Sequence, residues 1–449
     1  MGTIALTEGE EAYTNDGVGV MNHPMWRLMG SARVGTAEAG LPASRGADVR
    51  AMREFNLLLV LNCIREHGPL PRVAIARRTG LSRPTVSSLM EILLREGLVR
   101  EGELLNSSAA GGRRAVEVHF NSSAGYAIGV DVGRTHLTMI LANLAAEIQA
   151  RHSEPFDSSR GAEACLPLLS QHLRTFVEAA DTRWDQIVGI GMGVPGPIDT
   201  DRRRLVSPPR LPGWDRIDLY KTMRRELDVP IFLDNDANMG TLGESRYGAG
   251  RGVENMAYIK LGTGIGGGMI LNGSIYRGSG SAGEIGHVTV NADGPECACG
   301  NKGCLEALAG AGAIVEDASQ GASRAACDIA DVIRAAQEGD ENCRVAIERA
   351  GESIGVAVAD LINLCSPSLI LLDGGVSRAG EILLEPLRRT AAARSLPIAW
   401  ANTTIQLAQL GDNAIALGAV STVLDAAFGV SSAMLTSPMR AVAARAAVP

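Results

Sequence analysis

The sequence predicts an α/β protein preceded by a small α+β unit, and three observations carry that expectation. After residue 122, short apolar runs ending in Gly or Asp alternate with helical stretches. Before it, three short helical patterns separated by glycines lead into two strand-like runs. At 449 residues the chain is also too long for one ordinary domain, and 46 % hydrophobic residues suffice for sizeable cores.

Residues 1–45 are rich in small residues without sustained periodicity, and are expected to be a disordered leader. From Val49 to His67 apolar residues recur at helical spacing (Met52, Phe55, Leu58, Leu59, Ile64), and Gly68-Pro69 ends the helix. A second helix spans Pro71 to Thr79 and stops at Gly80. Ser82 is a suitable N-cap for a third helix, which runs to about Glu96 before Gly97. A strand beginning at Leu98-Val99 can pair with Ala115 to Phe120 across a loop holding Gly111, Gly112, Arg113 and Arg114. Residues 46–121 therefore form one unit. Strands are expected at Tyr126–Asp131, Ile187–Val194, Ile231–Asp234, Met256–Leu261 and Leu369–Asp373, and a last helix at Ala414–Ala427. They make 122–428 a second unit, with lobes of about 122–240 and 241–428 and a flexible tail at 429–449.

The front unit reads as a winged helix-turn-helix. In such a motif the second helix enters the major groove of DNA and its first residues face the bases. Here that helix begins Ser82-Arg83-Pro84-Thr85-Val86-Ser87-Ser88, which offers hydroxyls and one Arg for phosphates and base edges. Val86, Leu89 and Leu93 supply the packed face. The expected DNA contacts are Arg72, Ser82, Arg83, Thr85 and Ser87, with Arg113 and Arg114 on the wing. A three-helix protein-interaction module is the alternative. Net charge of −8 argues against nucleic acid, yet residues 46–118 carry eleven Arg against eight acids.

The longest apolar stretches fall well short of the roughly 20 residues that span a bilayer. The first 30 residues show neither a basic start nor an apolar run. No membrane association is expected, and the cytoplasm is the default compartment.

Three glycine-rich stretches stand at strand ends, where backbone N–H groups can approach phosphate oxygens. The first is Asp131-Val132-Gly133-Arg134-Thr135. The second contains Gly262, Thr263, Gly264 and Gly266, and the third is Asp373-Gly374-Gly375-Val376. Each alone also suits a tight turn. Asp131, Gly133, Thr135, Gly262, Thr263, Gly264, Gly266, Gly374 and Gly375 are the expected nucleotide-binding positions. Between the loops lies Asp234-Asn235-Asp236-Ala237-Asn238, where a carboxylate can take the proton of an attacking hydroxyl. A helix cap is the alternative for this cluster.

Cys297, Cys299 and Cys304 fall within eight residues, and His287 precedes them by ten. Three thiolates and an imidazole make a closed tetrahedral set, the pattern of structural zinc rather than of a site with an open position for water. Buried free thiols or a redox pair are the alternatives.

The glycine run at Leu261, the Glu-x-Gly-His at Glu284 and the Cys-Ala-Cys-Gly-Asn-Lys-Gly-Cys-Leu-Glu segment at Cys297 stand in the order and spacing of the ROK (repressor, open reading frame, kinase) family. From Val49 to Ala427 the chain resembles the branch of that family with an N-terminal winged helix. The resemblance implies an actin-like (ribonuclease H-like) two-lobed sugar-kinase fold, with sugar and nucleotide in the cleft. It implies sugar contacts by Asn235, Asp236, Glu284, His287 and Glu306, with Asp236 as general base, and zinc held partly by His287. It also implies homodimers or homotetramers on palindromic operator DNA. Kinases of the family usually carry Gly-Gly-Thr where this chain has Gly133-Arg134-Thr135, and commonly Asn where Arg210 stands within Ser207–Trp214. The expected function is a sugar- or sugar-phosphate-responsive transcriptional repressor. A bifunctional ATP- and Mg-dependent sugar kinase with a DNA head is the alternative, and a body that docks a partner protein is a third reading.

Overall fold

The computed structural model describes residues 23, 25–26, 49–104, 116–199, 204–206, 213–320 and 328–429. The expected wing contacts Arg113 and Arg114, the departure at Arg210, most of the leader and the tail from 430 onward lie outside the described residues.

The head is built from α1 (Val49–His67), α2 (Arg72–Thr79) and α3 (Arg83–Arg95), then β1 (Val99–Leu104) paired antiparallel with β2 (Val116–Phe120). The two-residue strand Leu70–Pro71 adds to the other edge of β2. Helix α2 starts one residue later than expected because Pro71 is taken into that strand. Gly80 and Gly97 close α2 and α3 at φ near +71°, a conformation in which a Cβ is costly.

The body holds two five-stranded sheets of the same design. In the first, β3 (Tyr126–Val132), β4 (His136–Asn143) and β5 (Ile148–Pro155) form an antiparallel meander. Strands β6 (Ile187–Val194) and β7 (Ile231–Asn235) then add parallel to β3, in the order β7-β6-β3-β4-β5. Helices α4 (Ala162–Ala179) and α5 (Leu219–Leu227) join these strands, and α6 (Asp236–Tyr247) follows directly on β7. The second sheet repeats the plan. A meander of β8 (Met256–Leu261), β9 (Ile265–Leu271) and β10 (Ser274–Ile275) is followed by parallel β11 (Leu369–Asp373) and β12 (Thr404–Leu407). Helices α7 (Leu305–Ala309), α8 (Ala311–Ser319), α9 (Ile329–Gln337), α10 (Glu341–Cys365) and α11 (Glu381–Arg394) cover its outer side.

The last helix among the described residues, α12 (Ala414–Phe428), returns to the first sheet. Its carbonyls at Ala416 and Ala419 lie where a Cβ at Gly129 or Gly191 would stand, 1.9 and 2.1 Å away, so these strand glycines admit the helix backbone. Gly243 of α6 and Gly418 of α12 allow the same close approach between the two helices. A lobe boundary at residue 240 therefore falls inside α6, and residues 414–428 belong with the first sheet. The expected division at that point is corrected by this return of the chain.

The leader expectation also needs correction. Met25 and Trp26 are buried, and the Trp26 indole N–H donates to the carbonyl of Val188 at 2.6 Å. The Trp26 ring stacks 6.5 Å from that of Phe232, and His23 hydrogen-bonds the carbonyl of Ala124. Met25 and Trp26 sit in one apolar cluster that joins the head helices, the first sheet and α12. In the sequence Trp26 stands among Met21, Met25, Leu28 and Met29, an apolar patch too short for sustained periodicity within residues 1–45. Leu57 to Leu61 are buried consecutively, so the middle of α1 is covered on every face, by its own head on one side and by the body on the other.

Candidate functional site

The two sheets flank a cavity of about 610 Å³, within the usual size of a small-molecule site. Each sheet delivers its side chains at strand ends. Asp131, Thr135, Gly262, Thr263, Gly264, Gly266, Gly374 and Gly375 all line it, as do Asn235, Asp236, Glu284, His287 and Glu306. Gly133 does not: the space a Cβ would take there is filled by the His136 ring, 2.2 Å from the nearest ring atom.

Strand β7 runs straight into α6, which sets the acidic cluster at a helix N-terminus. Asn235 is the N-cap: its Oδ1 accepts from Ala237 N at 2.8 Å and Asn238 N at 3.3 Å, and its Nδ2 donates to the carbonyl of Gly196. For Asn235, then, the geometry is the helix cap that was the alternative to a sugar contact. Asp234 accepts from the Asn238 side chain and from Arg277. Asp236 is buried at the start of α6. Its Oδ1 accepts from Ala237 N, and its Oδ2 accepts from Lys260 Nζ at 2.7 Å.

Lys260 was not among the residues that the motifs single out. It stands in the apolar strand β8, where neither spacing nor composition marks it. His136 was missed for a similar reason, one residue beyond the first glycine loop. Its Nε2 lies 3.0 Å from Asp131 Oδ2. Burial alone would raise the Asp131 carboxyl, but Lys260 and His136 outweigh it and hold it below the ordinary carboxylate value.

Glu306, at the start of α7, accepts from Ile265 N at 2.9 Å, which ties the cysteine segment to the second glycine loop. The same carboxylate explains Gly264, where a Cβ would meet Glu306 Oε2 at 2.8 Å. Burial pushes the Glu284 carboxyl up; His287 opposes this, while Asp236 and Glu306 add to it.

His287, Cys297, Cys299 and Cys304 converge, with all four ligand atoms within 4.8 Å of one another. Cys297 Sγ lies 3.7 Å from His287 Nδ1, and Cys299 Sγ lies 3.7 Å from Cys304 Sγ. A tetrahedron with sulfur bonds of roughly 2.3 Å has edges of roughly 3.8 Å, so the donor set and its spacing fit a zinc ion. Burial and the two neighbouring thiols push the Cys304 thiol up to about 12, whereas the backbone N–H of Asn301 lowers that of Cys299. With Nδ1 on the cysteine side, the Nε2 side of His287 faces Glu284 Oε2 at 4.0 Å.

In the head, Ser82 Oγ accepts from Thr85 N at 3.3 Å and shares a 2.8 Å hydrogen bond with Thr85 Oγ1, so it caps α3 as expected. Ser82 and Arg83 are exposed, and Thr85 and Ser87 are half-buried. Val86, Leu89 and Leu93 face the core. Arg72 instead pairs with Glu101 of β1 at 2.9 Å, which holds the strand pair against α2 and reduces its availability to a phosphate. Arg77 and Arg78, exposed in the last turn of α2, add positive charge beside the turn. Among the described residues, no helix is long and apolar enough to cross a membrane.

Residues 127–426 match the ROK family, and residues 56–103 match the IclR helix-turn-helix domain. The xylose repressor of Bacillus subtilis (strain 168) is 32 % identical over 383 residues, covering 84 % of this chain and 97 % of the repressor. Among solved structures, a ROK family transcriptional regulator homologous to E. coli MLC superposes with a TM-score of 0.70 at 24 % identity, over 84 % of this chain and 97 % of its own. A ROK family glucokinase from Streptomyces griseus, solved with glucose and AMPPNP, gives a TM-score of 0.60 at 29 % identity. It covers 66 % of this chain and 99 % of its own.

Proposed function

Because the chain belongs to the ROK family, we propose that it is a sugar-responsive, DNA-binding transcriptional repressor whose effector, a sugar or sugar phosphate, enters the cleft between the two sheets. The observation that carries this reading is the course of α12. Its first turn lines the cleft through Ile415, and its last residue, Phe428, packs against the head. Fifteen residues at 1.5 Å each make a rod of about 22 Å between the two. A change in the separation of the sheets therefore moves the support on which α1 rests.

In this reading Asp236, Glu284, His287 and Glu306 accept or donate hydrogen bonds to sugar hydroxyls, and Asn235 shapes the helix start beneath them. Zinc held by His287, Cys297, Cys299 and Cys304 would act structurally, as a cross-link with no position left for water. His287 presents Nε2 to the sugar because Nδ1 is turned to the thiols. Arg83, Ser82, Thr85 and Ser87 read operator DNA from α3, with Arg113 and Arg114 proposed for the wing. A homodimer or homotetramer would match a palindromic operator. Residues 46–121 and 122–428 are the proposed units, and the cytoplasm is the proposed compartment. Retention of Asp236, and likeness to a glucokinase over the body, favour a sugar kinase as the second reading.

The test is to select DNA from a random pool with the full-length protein, then to titrate the selected site with D-xylose, D-glucose, N-acetyl-D-glucosamine and their phosphates. Displacement by one sugar class is the expected result. Failure to select any sequence, or indifference to every sugar, would sink the proposal. ATP turnover on the same panel, absent in Asp236→Asn, would establish the second reading.

A further inference from the structure

Lys260 stands where the acids of the cleft meet. Its ammonium donates to Asp236 Oδ2 at 2.7 Å, and Asp131 and Asp373 also bear on its charge. Burial alone would lower its proton affinity, but the three carboxylates more than offset this and hold the group charged. The strand ladder places it: Lys260 pairs in register with Asp373 across β8 and β11, and two residues earlier Tyr258 donates to Asp373 at 2.7 Å.

A second observation comes from the opposite sheet. The His136 imidazole, held 3.0 Å from Asp131, covers the face of Gly133 that the first glycine loop would otherwise leave open. A metal–nucleotide complex needs carboxylate oxygens for its divalent cation and open backbone for its phosphates. These residues do not fit one. The Asp236 oxygen is bonded to an ammonium, a fixed cation there repels a divalent ion, and the loop glycine is covered.

We propose that Lys260 is a resident counter-cation that holds the place of a divalent metal among Asp131, Asp236 and Asp373, so that the cleft excludes metal–nucleotide and takes its sugar without metal. The sugar clause rests on the function proposed above; the exclusion of metal does not. Lys260 neutralises part of the acidic cluster permanently, and Asp236 Oδ2 is occupied where a base would receive a hydroxyl proton.

The experiment measures Mn2+ and Mn2+–AMPPNP binding to the full-length, zinc-loaded protein by water-proton relaxation. The unmodified chain should show no saturable cleft site. Lys260→Met should gain one, with affinity at least about tenfold higher, as expected when a like charge is removed. Adding Asp131→Asn to Lys260→Met should abolish it, and Lys260→Arg, which keeps the charge, should exclude Mn2+. Should Lys260→Met melt early, Lys260→Gln replaces it. Mn2+ uptake by the unmodified chain that is equal to Lys260→Met and sensitive to Asp131→Asn overturns the proposal. So does a sugar that binds only with Mg2+. If no sugar binds the unmodified chain while Lys260→Met gains the metal site, the counter-cation stands and the sugar reading fails.

Discussion

The guanidinium of Arg65 lies 4.6 Å from the centre of the Phe428 ring, which joins the first helix of the head to the last helix of the body. Asn62 reinforces the junction by donating to the Phe428 carbonyl at 2.8 Å, and Phe120 meets the same ring edge-on. Phe428→Ala should therefore leave sugar affinity in place while weakening the sugar's hold on DNA binding. Allosteric couplings are about 1–3 kcal/mol, so a response of ten- to a hundredfold should shrink to about threefold or less. Calorimetry of sugar binding and anisotropy of labelled operator check both halves, and an undiminished response would remove α12 from the coupling.

Arg83 is exposed at the first position of α3, beside the Ser82 cap. Replacing it with Ala should weaken operator binding by about tenfold, and a phosphate contact should reduce the salt slope by about one. An unchanged affinity and slope would take Arg83 out of the interface.

Cys299 is the exposed member of the ligand set, so Cys299→Ser disturbs packing least while removing one thiolate. Zinc content should fall from about one per chain, and the melting temperature with it. Full zinc content by atomic emission, with an unchanged melt, would contradict a zinc centre at these residues.

Trp26 is buried and hydrogen-bonded to β6. Trp26→Ala should cost about 3–5 kcal/mol, the usual range for emptying a large aromatic site. Denaturant unfolding measures it, and a loss below about 1 kcal/mol would mean that the docked segment contributes little.

Asp131 is held below its unfolded value of 3.8, so it stabilises the fold above that pH and loses the contribution as pH falls through the depressed value. The urea midpoint of the unmodified protein should therefore drop more steeply below about pH 4 than that of Asp131→Asn. Parallel curves from pH 6 to 3 would show that the carboxylate is not stabilised in the fold.

Much of this architecture was legible because its signals are local. The α3 cap is announced by Ser82 and the packed face by Val86, Leu89 and Leu93. The candidate metal-binding set, His287, Cys297, Cys299 and Cys304, is nearly contiguous, so four residues read along the chain are four residues in space. What escaped the sequence is non-local. Lys260 is one cation in an apolar strand, and only the meeting of two sheets shows that it faces Asp236. Asn235 and Asp236 are adjacent acceptor residues, yet one caps a helix and the other pairs with that lysine. Gly243 and Gly418 are explained by a helix crossing that joins positions 175 residues apart, beyond the reach of any periodicity. The duplicated sheet plan was equally hidden, because shared topology does not require shared residues.

The return of α12 to the first sheet has a consequence during synthesis. The chain emerges from the ribosome N-terminus first, at about 5–20 residues per second. The sheet face at Gly129 and Gly191 thus stays bare for on the order of ten seconds or longer after β7 is made, until its covering helix arrives. The head, whose α1 leans on Phe428, is among the first parts translated and the last to be braced. A nascent or prematurely terminated chain thus carries the head against the first sheet alone, before α12 is present to complete the apolar cluster beneath α1.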